Sequence, residues 1–90
     1  MSKQEEFDDE EYELKKEVYT GLVAWFHIKR GYGFIEWKKE GINQTDMFCH
    51  FSDIDLDGFK LLKGGQAVSF SIGTNHDGDP KAINVKIIGE

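Results

Sequence analysis

The sequence predicts an all-β domain, a five-stranded antiparallel barrel preceded by a flexible or marginally helical acidic tail. Three observations support this prediction. Short runs of β-branched and aromatic residues recur after residue 17, segments rich in Gly, Asn and Asp separate them, and no long run has helical spacing. With 90 residues the chain is long enough for one small domain.

The tail comprises residues 1–17, and we assign residues 18–90 to the barrel. Three lysines and eight acidic residues give the tail a charge of −5, out of −6 for the whole chain. Phe7, Leu14 and Val18 lie at roughly helical spacing, but a helix this short is marginal in water without a surface to dock on. The acidic N-terminus is unlike a signal or transit peptide, so we expect a cytoplasmic protein.

The barrel strands are predicted from alternation and from the turns between them. We expect strands at about 18–27, 30–37, 46–51, 66–72 and 81–88, a polar loop at 38–45, a turn or short 3₁₀ segment at 53–58 and a turn-rich connection at 74–80.

Alternation also assigns faces in the last two predicted strands. Val68, Phe70 and Ile72 should point inward, with Ser69 and Ser71 in water. In the last strand the residues expected to face inward are Ile83, Val85 and Ile87.

The second and third strands carry the most informative pattern. Tyr32, Phe34 and Glu36 should share one face, and Gly31, Gly33 and Ile35 the other. In the third strand Phe48 and His50 share a face, while Met47, Cys49 and Phe51 should take the opposite one. If these strands pair, one side suits a core and the other offers rings for bases, with Lys29 and Arg30 at its edge. The alternative is that the rings form the core and the glycines face water.

Residues 30–35, Arg-Gly-Tyr-Gly-Phe-Ile, resemble the first ribonucleoprotein motif of cold-shock domains, and residues 47–51 resemble the second. The similarity extends from about Thr20 to Val85, with further matching blocks at 21–26, 51–54, 57–60, 65–70 and 82–85. It implies an OB-fold barrel that binds single-stranded RNA or DNA.

The resemblance also implies the site residues. Positions that would stack bases are Trp25, Tyr32, Phe34, Phe48, His50, Phe51 and Phe59, with Phe26 flanking them. Arg30 and Lys60 match cationic edge positions, and Lys29 is a lesser candidate. Asp46 lies where the family often has an acid that accepts a hydrogen bond from a base. His27 replaces a small polar residue and would add another platform.

Some positions depart from the family pattern. Leu22 and Ala24 stand where many relatives carry lysine, and Gly78 lies near a position where arginine is common. The phosphate-binding contribution should therefore be reduced unless Lys38, Lys39 or Lys81 compensates. Trp37 is an additional aromatic, and packing at the barrel rim is the favoured interpretation.

We therefore expect a monomeric binding protein for single-stranded RNA or DNA, with a weak preference for pyrimidine-rich, U- or T-rich strands. It would act as an RNA chaperone or as a regulator of transcription or translation. We expect no cofactor, no metal and no membrane partner. The acidic tail would contact either the barrel itself or a basic protein.

Two other classes of function compete with nucleic-acid binding. The alternative to nucleic-acid binding is a barrel that binds a peptide or protein on the same aromatic face. Catalysis is not expected, because Cys49 and His50 are adjacent on a strand and should point to opposite faces. A single cysteine also excludes an intramolecular disulfide.

Overall fold

The computed structural model describes residues 17–56 and 61–88, and these form one antiparallel sheet. Its strands are β1 (Tyr19–His27), β2 (Tyr32–Lys39), β3 (Ile42–Asn43), β4 (Met47–His50), β5 (Ala67–Thr74) and β6 (Pro80–Ile87), and a 3₁₀ turn (Phe51–Asp53) follows β4. The order along the sheet is β3-β2-β1-β5-β6, and β4 also pairs with β2. Residues 1–16, which make up nearly all of the predicted tail, lie outside the described residues, as do 57–60.

The sheet closes on itself where the chain leaves the 3₁₀ turn. Ile54 forms a parallel bridge with Val85, and the Asp55 N–H donates to the Val85 carbonyl at 2.7 Å. Together with the pairing of β5 to both β1 and β6, this contact joins the two ends of the sheet. The prediction of an all-β antiparallel barrel is confirmed.

The barrel interior is a single apolar cluster. It contains Val23, Ile35, Trp37, Met47, Cys49, Ile54, Leu62, Val68, Phe70, Ala82 and Val85. Trp37 packs edge-on against Tyr19 and Phe70, with ring centroids 5.0 and 5.6 Å away. Its Nε1–H donates to the Thr45 carbonyl at 2.9 Å, which satisfies the one polar atom of the indole. Packing is thus the structural role of Trp37, although it lies in the core and not only at the rim.

The predicted polar loop at 38–45 is partly wrong, because it contains a hairpin. Lys39 pairs with Ile42, and the two residues between them, Glu40 and Gly41, have positive φ angles of 54° and 80°. Positive φ at both central residues is typical of a two-residue hairpin turn whose twist matches that of the strands. The usual signal for such a turn is Asn-Gly or Asp-Gly, and Glu-Gly lacks it.

A bulge in β6 changes the inward residues predicted for that strand. Ser69 pairs with Lys86 and Ser71 with Ile83, so one residue of β5 opposes two of β6 there. Asn84 lies in this bulge and has a positive φ of 52°. The buried positions are consequently Ala82 and Val85, whereas Ile83 and Ile87 are only partly buried.

The expectation that Ser71 faces water is wrong. Its side chain is buried, and its hydroxyl donates to the Glu17 carbonyl at 3.0 Å. The chain entering β1 therefore covers this position, a long-range contact that alternation along β5 cannot reveal.

Candidate nucleic-acid interface

The pairing of β2 with β4 brings aromatic residues together on the outside of the barrel. Tyr32 lies opposite His50, and Phe34 lies opposite Phe48. Residues directly opposite each other in a sheet point to the same face, and these four side chains are only partly buried. Between them along the strands, Gly33, Ile35, Met47 and Cys49 point into the barrel and are buried. The face assignments predicted for these two strands are confirmed, with the exception of Phe51.

A second bulge, in β1, adds Trp25 to this outer face. Val23 pairs with Ile35, but Trp25 pairs with Phe34, so Ala24 is an extra residue in β1. Without the bulge, strict alternation along β1 would place Val23 and Trp25 on the same face. With it, Val23 is buried in the core and the Trp25 side chain is 45% exposed.

We call Trp25, Tyr32, Phe34, Phe48, His50 and Phe51 the aromatic face. Its rings lie close enough together to form a continuous surface. Trp25 is 5.3 Å from Phe34 and 5.9 Å from Tyr32, measured between ring centroids. Phe48 lies 5.8 Å from Phe34 and 5.7 Å from Tyr32.

Two glycines make room beneath these rings. A Cβ at Gly33 would collide with the Trp25 carbonyl oxygen and lie 2.8 Å from the Phe26 Cα. Gly31 has φ of 77°, a conformation that favours glycine, and a Cβ there would meet the Phe51 ring. Both glycines are buried and the rings face outward, which rejects the alternative in which the rings form the core.

Phe51 does not follow the alternation of β4. The chain leaves the strand at His50 and enters the 3₁₀ turn, so the Phe51 ring lies 4.5 Å from the His50 ring and is 44% exposed. The expectation that it shares a side with Met47 and Cys49 is therefore wrong. The role in base stacking that the resemblance implies for Phe51 stays a prediction. Ser52, which the sequence analysis did not single out, bonds to His50 Nδ1 through both its N–H and its hydroxyl.

The two neighbours of Trp25 in β1 lie differently. Phe26 pairs with Gly33, packs against the core and is partly buried, so its part in an interface stays a prediction. His27 is exposed and pairs with Tyr32, which places it at the edge of the aromatic face. Its Nδ1 accepts a hydrogen bond from the Arg30 N–H at 3.2 Å.

Two exposed cations lie at one end of the aromatic face. Lys29 and Arg30 are exposed in the turn that joins β1 to β2. Lys81, a candidate for replacing missing cations, instead forms an ion pair with Asp53 at 3.0 Å. Two predicted site residues, Phe59 and Lys60, lie outside the described residues.

The opposite end of the face is apolar and acidic. Leu22 is exposed and pairs with Glu36, and Asp46 precedes β4 next to them. These three residues line a groove of about 610 Å³, together with Lys38 and Gln44. An exposed carboxylate can accept hydrogen bonds from base amino groups, but it repels phosphates.

Cys49 and His50 do not form a nucleophilic pair. Burial raises the pKa of the Cys49 thiol to about 12, with a further contribution from the charge of Asp53, so the thiol stays protonated at neutral pH. His50 lies on the other side of the strand. Among residues 17–56 and 61–88, no group of three potential metal ligands occurs and no helix could cross a membrane.

Comparison with known proteins supports the arrangement. Residues 19–88 match the family described as "'Cold-shock' DNA-binding domain". This chain belongs to the cold-shock domain family. A cold shock-like protein of Aquifex aeolicus is 44% identical over 72 residues, which are 80% of this chain and 97% of the relative. The major cold shock protein CspA of Bacillus cereus is 50% identical over 66 residues, 73% of this chain and 91% of the relative.

Solved structures place the cold-shock domain in the same fold. The chain of drosophila Unr CSD456 matches with a TM-score of 0.63 at 22% identity, over 89% of this chain and 31% of that one. The OB-fold predicted from the resemblance is confirmed, and the chain is a nucleic-acid-binding domain of the cold-shock type.

Proposed function

We propose that this cold-shock domain binds single-stranded RNA or DNA by stacking unpaired bases on the aromatic face. The observation that carries the proposal is the continuous outer cluster of rings, which buried glycines and the bulge in β1 keep out of the core. Every base has a π-face, and each base–ring contact contributes about 1–3 kcal/mol by truncation. Stacking alone discriminates poorly between bases, so any sequence preference should be weak. We propose that this weak preference is for pyrimidine-rich strands.

The mechanism we propose is mass action and requires no catalysis. A protein that binds only unpaired strands lowers the population of hairpins and duplexes, because binding stabilises the state that it recognises. This would make a monomeric cytoplasmic protein an RNA chaperone or a regulator of transcription or translation.

The decisive experiment is a fluorescence titration that uses the two tryptophans as an internal control. In the Trp37→Phe variant, Trp25 is the only indole, and its emission should be quenched by oligo(U) and oligo(dT) but not by duplex. In the Trp25→Phe variant the remaining indole is the buried Trp37, and its emission should not change. Equal quenching by duplex, or none by single strands, would contradict the proposal.

Salt dependence separates this proposal from a peptide-binding groove. Each phosphate neutralised on a single strand contributes about −0.7 to the slope of log affinity against log salt. With two or three usable cations, the slope should be roughly −1.5 to −2. A slope near zero would favour the peptide alternative, which the family membership does not support.

A further inference from the structure

His50 of the aromatic face and His27 at its edge share one feature of their hydrogen bonding. Each ring accepts a backbone N–H at Nδ1: His27 from Arg30 at 3.2 Å, and His50 from Ser52 at 3.2 Å. His50 Nδ1 also lies 2.9 Å from the Ser52 hydroxyl. A backbone N–H can only donate, so Nδ1 must be the unprotonated nitrogen of each ring. The proton of the neutral imidazole is then on Nε2.

These bonds belong to two turns that are themselves joined. The His27 carbonyl accepts the Gly31 N–H at 2.7 Å, which closes the turn between β1 and β2. The Gly31 carbonyl accepts the Phe51 N–H at 2.9 Å, which ties that turn to the 3₁₀ turn after β4. Tyr32 pairs with His27 on one side and with His50 on the other, so the three side chains form a row across β1, β2 and β4.

We infer that His27 and His50 are fixed hydrogen-bond donors that select acceptor atoms on the bound strand. This inference rests on the proposed function. In each ring Nδ1 is occupied by the turn, so Nε2–H is the group left to offer a ligand. A donor fixed in this way pairs with base carbonyl oxygens or with phosphate oxygens, and it disfavours an amino group at the same place. The row would thereby add base discrimination to a face that otherwise binds by stacking.

Position 27 allows the two nitrogens to be tested separately. The Oδ1 of asparagine can take the place of histidine Nδ1, so His27→Asn keeps the acceptor for the Arg30 N–H and loses the outer donor. His27→Gln can place an amide N–H near the position of Nε2 and loses the turn acceptor. His27→Ala loses both.

Binding of oligo(dT) should follow the donor, and stability should follow the acceptor. We expect His27→Asn and His27→Ala to weaken binding about three- to tenfold, the effect of one lost hydrogen bond, and His27→Gln to recover most of it. The midpoint of thermal unfolding should be close to that of the unsubstituted protein in His27→Asn and lower in His27→Gln and His27→Ala. If His27→Asn binds as the unsubstituted protein does and His27→Gln does not, His27 acts only through its turn and the inference is overturned.

The source of the acceptor is distinguished by the ligand. If base carbonyls are read, the loss in His27→Asn should be larger for oligo(dT) than for oligo(dC), in which an amino group replaces one carbonyl. If phosphates are read, the loss should be equal for both and for an abasic strand. Either result supports a donor at position 27.

The tautomers can be measured without any ligand. Long-range ¹H–¹⁵N spectra of the histidine rings at pH 8 should show His27 and His50 protonated on Nε2. Protonation on Nδ1, or a mixture of both forms, would refute the inference even if the protein binds single strands. Conversely, failure to bind any oligonucleotide would refute the proposed function and leave the tautomer result standing.

Discussion

The two tryptophans show how the same side chain is used on opposite faces of one sheet. Trp37 is only 9% exposed, with its indole nitrogen bonded to the Thr45 carbonyl, whereas Trp25 is 45% exposed among other rings. The inner face buries its rings around a closed core, and the outer face leaves its rings accessible. Aromatic content alone therefore does not mark a binding surface. Two features mark it here: buried glycines beneath the rings, and a bulge in β1 after which the side chains exchange faces.

The largest expected effect is on the inner face. Trp37→Ala should lower the free energy of unfolding by about 3–5 kcal/mol, because it leaves a large cavity next to Tyr19 and Phe70. Urea denaturation measures this change. Trp25→Ala is the matched control and should cost far less stability. Equal losses would mean that Trp25 is also a core residue.

On the outer face the loss should appear in binding instead. Phe34→Ala and Phe48→Ala should each weaken single-strand binding by about 1–3 kcal/mol while the barrel stays folded. Titration with oligo(dT), together with circular dichroism, measures both properties. Val68→Ala is the control from the core and should cost stability with little direct effect on binding. Unfolding of the two phenylalanine variants would contradict the assignment of their rings to the surface.

High pH should lower the stability of the barrel through ionisation of Cys49 on the inner face. The pKa of its thiol is raised from 9.0 to about 12 by burial, so above pH 9 the unfolded chain releases this proton and the folded chain retains it. This contribution to stability is complete below pH 9, and it is lost as pH rises toward 12, at up to about 1.4 kcal/mol per unit.

Comparison with Cys49→Ala isolates this contribution. The pKa of Tyr19 is also raised, first by its hydrogen bond with Glu17, but Tyr19 is present in both proteins and its effect cancels. Denaturation midpoints measured between pH 8 and 11 should converge for the two proteins as pH rises. Parallel curves would show that the pKa of the Cys49 thiol is the same in the folded and the unfolded chain.

A smaller effect is expected where the outer face lacks a cation. Leu22→Lys should make the slope of log affinity against log salt more negative by about 0.7, the value for one additional phosphate contact. Leu22→Gln, a polar substitution without charge, is the control. If the two variants have the same slope, the Glu36 side chain opposite position 22 neutralises the new lysine.

The smallest effect concerns the acidic tail, whose contact with the barrel or with a basic protein stays a prediction. Deleting residues 1–16 should tighten binding, because the tail carries most of the net negative charge of the chain. If the gain disappears at about 1 M salt, where the Debye length is about 3 Å, long-range repulsion accounts for it. If part of the gain persists and Phe7→Ala with Tyr12→Ala reproduces it, the tail rings occupy the aromatic face. No gain at any salt concentration would contradict both versions.

Alternation along β2 and β4 predicted the central part of both faces, because these strands run without interruption through the motif residues. It failed where a residue is inserted or where the chain folds back. The bulge at Asn84 moved burial from Ile83 to Ala82, and Glu17 covered Ser71 from a distant part of the chain. The position of Trp25 on the outer face came from the family resemblance, since strict alternation would have placed it with Val23.

The bulge at Ala24 also determines where β1 tolerates changes in length. Val23 is held on both sides: it pairs with Ile35 in β2, and on the β5 side its N–H donates to the Gln66 carbonyl while its carbonyl accepts the Gly65 N–H. Deleting Ala24 would remove only the residue without a partner in β2 and would leave Trp25 opposite Phe34. If instead all nine residues of β1 paired with β2 without a bulge, the first half of the strand would keep its place and the second half would turn over. Phe26 would then replace Trp25 on the outside, and an indole would have to fit in the barrel. Every amino-acid type in the strand would be preserved, yet the recognition surface would be a different one. The register of β1, and not its composition alone, therefore determines which side chains a ligand meets on the outer face.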